Sequence, residues 1–230
     1  MSEATPDAAP GATATVAMIG GTGPLGSGLA RRLALAGYPI VIGSRSADKA
    51  QATAARLAAA VGSARVRGAD NVHAARDADL VCLTVPWASQ AAILDEIAAE
   101  LAGKLLIDTT VPLVPPKVAR VQLPPEQSAA LAAQKRLGAR VRVVSAFHNV
   151  AAQKLHGDAP IDCDVLVFGD DKADREIVVG LAKAMGLAAV HAGPLANSVA
   201  AEALTSVLIG INRSYRVDGA GVRITGIARD

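Results

Sequence analysis

The chain has 230 residues, 51% of them hydrophobic and only 2% aromatic, with a formal net charge of +2. That length suits one domain with at most a small appendage and is enough to bury a substantial core. Scattered charges and scarce aromatics argue against a nucleic-acid or anionic-lipid surface, which needs a basic patch or a stacking platform.

Residues 1–13 are rich in Ala, Pro, Thr and acids and are expected to form a disordered extension. They lack the charged segment and apolar core of a signal peptide. The two cysteines, Cys82 and Cys163, have no CxxC neighbour, so the expectation is two reduced thiols in a cytoplasmic protein.

Val16 to Ile19 is a short apolar run of the kind a buried parallel strand needs. The segment Gly21-Thr22-Gly23-Pro24-Leu25-Gly26 then supplies a G-x-G-x-x-G turn. Its first glycine permits the bend, its second lets backbone approach a pyrophosphate, and its third lets the next helix pack on the strand. That helix, from Pro24 to Ala36, aims its free N–H groups and positive dipole end at the phosphates. Pro24 suits the first turn, where its missing N–H costs nothing.

The next strand, Pro39 to Gly43, runs into Ser44-Arg45-Ser46, with Lys49 one turn further on. NAD enzymes place an acid here to bind the ribose 2′-hydroxyl. A guanidinium and an ammonium instead bind a 2′-phosphate, so the expected cofactor is NADP(H).

Strand-like and helix-like segments continue to alternate, which predicts a doubly wound, mostly parallel α/β Rossmann sheet. A helix over Ala47 to Val61 ends at Gly62, and a third strand is expected at Arg65 to Arg67. A short helix from Asn71 to Ala78 leads into a buried strand from Asp79 to Val85. Pro86 and Trp87 end that strand, and helical spacing resumes from Ala88 to Leu101. Lys104 to Asp108 reads as the fifth strand.

The stretch from Val111 to Pro125 holds five prolines and excludes a regular helix or central strand. A helix is expected over Gln127 to Leu137 and a strand over Arg140 to Ala146. Asp164 to Phe168 and Ala188 to His191 are expected to extend the sheet, flanking a helix from Lys172 to Met185. Leu195 to Tyr215 reads as a long terminal helix with a Gly-rich tail. Its most apolar stretch, Ala203 to Ile211, is too short to span a bilayer. Residues 14–193 therefore form the expected NADP-binding domain, and 194–230 a C-terminal helical segment.

With these segments in place, the chain resembles the NADPH-dependent coenzyme F-420 reductases, also called F-420:NADP oxidoreductases. The resemblance rests on the glycine turn, Gly43-Ser44-Arg45 with Lys49, Thr84-Val85-Pro86-Trp87 and Val114-Pro115. It continues through Val144 to His148, Gly169-Asp170-Asp171, and Ala192 to Ser198 leading to Leu204-Thr205. It implies hydride transfer between NADP(H) and the deazaflavin coenzyme F-420. It implies 2′-phosphate contacts at Thr22, Ser44, Arg45 and Lys49, and passage of the nicotinamide at Val85 and Pro86. The acceptor would lie between Phe147-His148-Asn149 and the terminal helix, whose pocket side includes Ser198 and which also suits a homodimer contact. Lys117 and Arg120, in the proline-rich stretch, read either as attracting the anionic tail of coenzyme F-420 or as solvated surface charge. The chain departs from the family pattern at Ala88-Ser89-Gln90 and at Asp108-Thr109-Thr110.

Such a reaction needs no metal and no protein nucleophile, because the cofactors carry the chemistry. No catalytic residue is therefore assigned, and His148 is the candidate for a polar contact to the acceptor. His73, His156 and His191 show no metal-ligand spacing and read as structural. Asp170-Asp171 reads as a helix N-cap. Two alternatives stand beside this reading. One is an NADPH-dependent reductase of a flavin or of a small imine or ketone; the other is a non-enzymatic NADP-binding sensor.

Overall fold

A computed structural model describes residues 13–227. All but the last residue of the expected N-terminal extension, and the final three residues of the chain, lie outside the described residues.

The first half runs β1 (Val16–Ile19), α1 (Pro24–Leu35), β2 (Ile40–Ser44), α2 (Ala47–Val61), β3 (Val66–Asp70), α3 (Asn71–Arg76), β4 (Leu80–Leu83), α4 (Trp87–Ile97) and β5 (Leu105–Asp108). The second half runs α5 (Ala129–Leu137), β6 (Arg142–Ser145), α6 (Ala152–Leu155), β7 (Asp164–Val167), α7 (Lys172–Ala184), β8 (Ala188–His191) and α8 (Ser198–Tyr215). Short 3-10 turns extend α4 at Ala98–Leu101 and precede α8 at Leu195–Asn197.

Six strands pair in the order β3-β2-β1-β4-β5-β6, all parallel, which is the Rossmann arrangement expected from the sequence. Strand alternation divides the core in two. Val16 and Met18 of β1 face one layer with Leu29, Leu33, Ile40 and Ile42. Ala17 and Ile19 face the other with Leu83, Leu94, Ile97 and Leu106. Burying each such Leu or Ile contributes about 1.5–3 kcal/mol.

Several boundaries move for local reasons. Strand β3 runs on to Asp70 because Gly68, Ala69 and Asp70 pair with Ile42, Gly43 and Ser44. Helix α5 starts at Ala129, two residues later than expected. Gln127 has φ +72°, and the Ser128 Oγ accepts from the Leu131 N–H at 3.1 Å as its cap. Helix α6 was not foreseen. It is a single turn held by Arg32, which donates to the carbonyls of Lys154, Leu155, Gly157 and Ala159.

The expectation that β7 and β8 extend the main sheet is corrected. They form a separate parallel pair. One antiparallel bridge between Ser145 and Phe168 joins that pair to β6. The terminal helix also differs from expectation. Leu195–Tyr215 is 21 residues, with mean hydropathy 1.3 over its most apolar 18-residue stretch, long and apolar enough by length and composition to cross a membrane. It nevertheless buries Ser198, Ala201, Glu202, Ser206 and Leu208.

Candidate functional site

The turn after β1 is built by two glycines of different kinds. Gly20 carries the bend, at φ +79°, and a Cβ there would lie 2.8 Å from Val85 Cγ1 and 2.9 Å from the Thr84 carbonyl oxygen. The sequence pattern assigned this bend to Gly21. Gly21 instead lies flat against β1, where a Cβ would come within 2.6 Å of the Met18 oxygen. At Gly26 a Cβ would run into Thr84 Oγ1 and lie 2.8 Å from Gly21 Cα, so this glycine lets α1 pack on the turn.

Gly23 is different. Its nearest neighbour to an added Cβ is the Gly20 oxygen at 3.4 Å. It is the N-cap of α1, with no side-chain cap, Pro24 behind it and no acid in the first turn. The helix therefore presents unpaired N–H groups and its positive dipole end to this spot, which suits a phosphate.

A cleft of about 190 Å³ opens at the C-terminal ends of the central strands. Of the residues expected to bind cofactor, Thr22, Gly23, Ser44, Arg45, Val85 and Pro86 line it. Gly21, Pro24, Leu25 and Gly26 form the turn and first helical turn beside the cleft rather than its wall. Lys49 is exposed on α2, outside the wall, and its N–H is capped by the Ser46 Oγ at 3.4 Å. Gly20, Asn71, Thr84, Ser89 and Ile93 also line the cleft and were not foreseen. Ser89 and Ile93 share one face of α4 at i, i+4 spacing, a legible signal. No carboxylate lines the cleft among the described residues.

The turn after β6 holds Phe147-His148-Asn149. Phe147 is buried at φ +68°, a conformation that stores strain of order 1–3 kcal/mol and that clusters at ligand-binding turns. His148 is buried, with Nε2 2.9 Å from Ser145 Oγ, while Nδ1 has no partner among the described residues. Burial pushes its pKa down to about 3, so the ring is neutral. Thr205 of α8 donates from Oγ1 to the His148 carbonyl at 3.0 Å, tying helix to turn. Ser198, expected on a pocket wall, is instead fully buried and donates to Ser128 Oγ at 2.9 Å.

Beneath this side lies a buried polar network. The Glu202 carboxylate accepts from the Ala129 and Ala130 N–H groups at 2.6 and 3.1 Å, so α8 caps α5. Gln90, one of the residues that departs from the family pattern, is buried and donates to Asp108 at 2.6 Å and to the Ala129 carbonyl at 3.1 Å. Its neighbour Ser89 faces the cleft. The remaining histidines sit in structural contacts: His73 with Asp70, His156 with the Pro24 carbonyl, and His191 near Glu176. Asp171 caps α7, and Asp170 accepts from the Leu195 N–H at 3.0 Å.

The family described as NADP oxidoreductase coenzyme F420-dependent matches residues 15–112. A protein of Methanocaldococcus jannaschii named F420-dependent NADP reductase is 37% identical over 221 residues, covering 92% of this chain and 98% of that protein. The chain belongs to the F420-dependent NADP reductase family. A relative with the same name from Methanothermobacter thermautotrophicus is 39% identical over 220 residues, covering 92% of this chain and 95% of that one. A crystal structure from Arthrobacter sp. FB24, provisionally assigned as an F420-dependent NADP reductase, superposes with TM-score 0.77 at 26% identity, covering 92% and 98%. A pyrroline-5-carboxylate reductase from Coxiella burnetii shares the fold alone, at TM-score 0.55 and 23% identity over 78% of this chain and 59% of that one. Within the F420-dependent NADP reductase family, then, the glycine turn and Arg45 fall inside the matched segment, while the His148 turn and α8 fall beyond it.

Proposed function

We propose that this member of the family transfers a hydride between NADP(H) and the deazaflavin coenzyme F-420. The observation that carries the reading is the joining of a phosphate-ready helix end at Gly23 with Ser44 and Arg45 in one cleft lined by no carboxylate among the described residues. The pyrophosphate is assigned to Gly21 through Gly26, the 2′-phosphate to Thr22, Ser44, Arg45 and Lys49, and the nicotinamide to Val85 and Pro86. The two co-substrates supply the hydride donor and acceptor carbons when bound. The protein supplies orientation and a dry surface.

The acceptor is assigned to residues between the His148 turn and α8, so that residues 14–193 hold the dinucleotide and 194–230 complete the acceptor side. A contact from the His148 ring to the acceptor would run through Nδ1, its one uncommitted polar atom. We further infer a cytoplasmic homodimer without nucleic-acid or membrane partners. Two free, buried cysteines support the compartment. Val207, Ile211 and Tyr215, exposed along one side of α8, support the dimer. Mixing the protein with NADPH and coenzyme F-420 tests the activity: deazaflavin absorbance falls as NADPH is consumed. Unchanged absorbance alongside turnover of a flavin or imine overturns it.

A further inference from the structure

Asn71 is 2% exposed, lines the dinucleotide cleft and opens α3 directly after β3. Its Nδ2 donates to the Glu96 carboxylate of α4, at 3.3 Å to Oε2 and 3.5 Å to Oε1. A carboxylate only accepts, so this contact fixes which way the amide faces. The Oδ1 is left buried, with no partner among the described residues. A buried acceptor without a donor is costly, and such atoms in native folds mark a missing partner.

Sheet order says which part of a dinucleotide reaches it. β3 is the outermost strand, and its last residue, Asp70, pairs in register with Ser44. Asn71 therefore follows the strand next to β2, at the sheet edge beside the strand that ends in Ser44 and leads to Arg45. Ile93 lines the same cleft and offers an apolar surface there. A flat, partly apolar base belongs at this end, and the one strong N–H donor on adenine is its 6-amino group. Phosphates and ring nitrogens offer only acceptors, which Oδ1 would repel.

We propose that Asn71 is a specificity residue that reads the adenine 6-amino group of NADP(H) through Oδ1, with Glu96 positioning its amide. The proposal rests on the reading of this cleft as the dinucleotide site. It adds base recognition to the phosphate recognition already assigned.

The test is calorimetric titration with NADPH and with its hypoxanthine analogue, in which a carbonyl replaces the 6-amino group. The wild type binds NADPH about tenfold more tightly than the analogue, the ratio expected when a buried acceptor loses its donor. In Asn71→Ala that ratio falls to about one, because NADPH weakens and the analogue does not. A ratio of affinities within one variant is insensitive to a partly unfolded fraction. Should Asn71→Ala fail to fold, Glu96→Ala, an exposed position, lowers the ratio in the same direction by freeing the amide. Equal weakening of both ligands in Asn71→Ala assigns Oδ1 to a ribose hydroxyl or to structure and overturns the proposal. So does a wild type that does not discriminate. A wild type that binds neither ligand overturns the dinucleotide reading itself, and this proposal with it.

Discussion

Gln90 donates from Nε2 to Oδ2 of Asp108 across 2.6 Å, joining helix α4 to the end of strand β5 inside the protein. The Thr110 N–H donates to the other oxygen at 2.9 Å. These bonds favour the charged form, yet burial outweighs them and pushes Asp108 up to about 6. Glu202 is pushed further, to about 8, by burial first and by the nearby Asp108 charge, against the two N–H groups it accepts from.

The pH dependence of stability follows from these directions. Both folded-state values lie above the ordinary carboxylate range, so folding favours the protonated forms. Their contribution is fully present below about pH 4 and is lost as pH rises through about 6 and then about 8. The melting midpoint should therefore fall between about pH 5 and about pH 9, and Glu202→Gln should flatten the upper part of that fall. Thermal scans across this range check it; a Glu202→Gln profile parallel to wild type would show that Glu202 does not titrate there.

The glycine turn separates binding from folding. An added side chain at Gly23 meets little protein, so Gly23→Val should fold with a melting midpoint close to wild type while losing NADPH, whose pyrophosphate needs that space. Gly26→Ala has no such room between Thr84 and Gly21 and should lower the midpoint by several degrees. Scanning calorimetry of both variants, with and without NADPH, resolves the two effects. Normal NADPH binding by Gly23→Val would remove the phosphates from this turn.

The contrast also explains what was legible in the sequence. The strand, glycines and helix from Val16 to Leu35 are local signals, written in period and residue type, and they match the structure closely. The start of α5 was misplaced because part of its capping comes from Glu202, 73 residues away. The separation of β7 and β8 from the main sheet depends on hydrogen-bond partners that no strand pattern encodes. Asn71 and Thr84 reach the cleft through sheet order, and Ser198 is buried through its bond to Ser128. Neither is visible in the residues around them.

Arg45 lines the cleft at the end of β2, where the proposed 2′-phosphate contact can be tested. A hydrogen bond to a charged group contributes roughly 1.5–3 kcal/mol, so Arg45→Ala should weaken NADPH about tenfold or more. NADH, which lacks the 2′-phosphate, should lose almost nothing. Titration calorimetry with both cofactors checks this, and equal losses would sink the assignment.

The proposed acceptor side is probed through Thr205, whose one hydroxyl hydrogen is shared between the His148 carbonyl at 3.0 Å and the Ala201 carbonyl at 3.3 Å. No residue of α8 lines the dinucleotide cleft, so the two halves of the reaction can be separated by substitution. Thr205→Val keeps the side-chain shape but frees the turn at His148 from the helix. A neutral hydrogen bond is worth about 1 kcal/mol net, which corresponds to about a fivefold change. The KM for coenzyme F-420 should rise by about that factor, while the Kd for NADPH stays at the wild-type value. Oxidation of the reduced deazaflavin by NADP releases a proton, so the equilibrium should shift toward NADPH as pH rises, equally in wild type and variant. Steady-state kinetics with coenzyme F-420, together with NADPH titration, checks the split. A rise in the NADPH Kd as large as the rise in KM would place Thr205 on the dinucleotide side and remove α8 from the acceptor pocket.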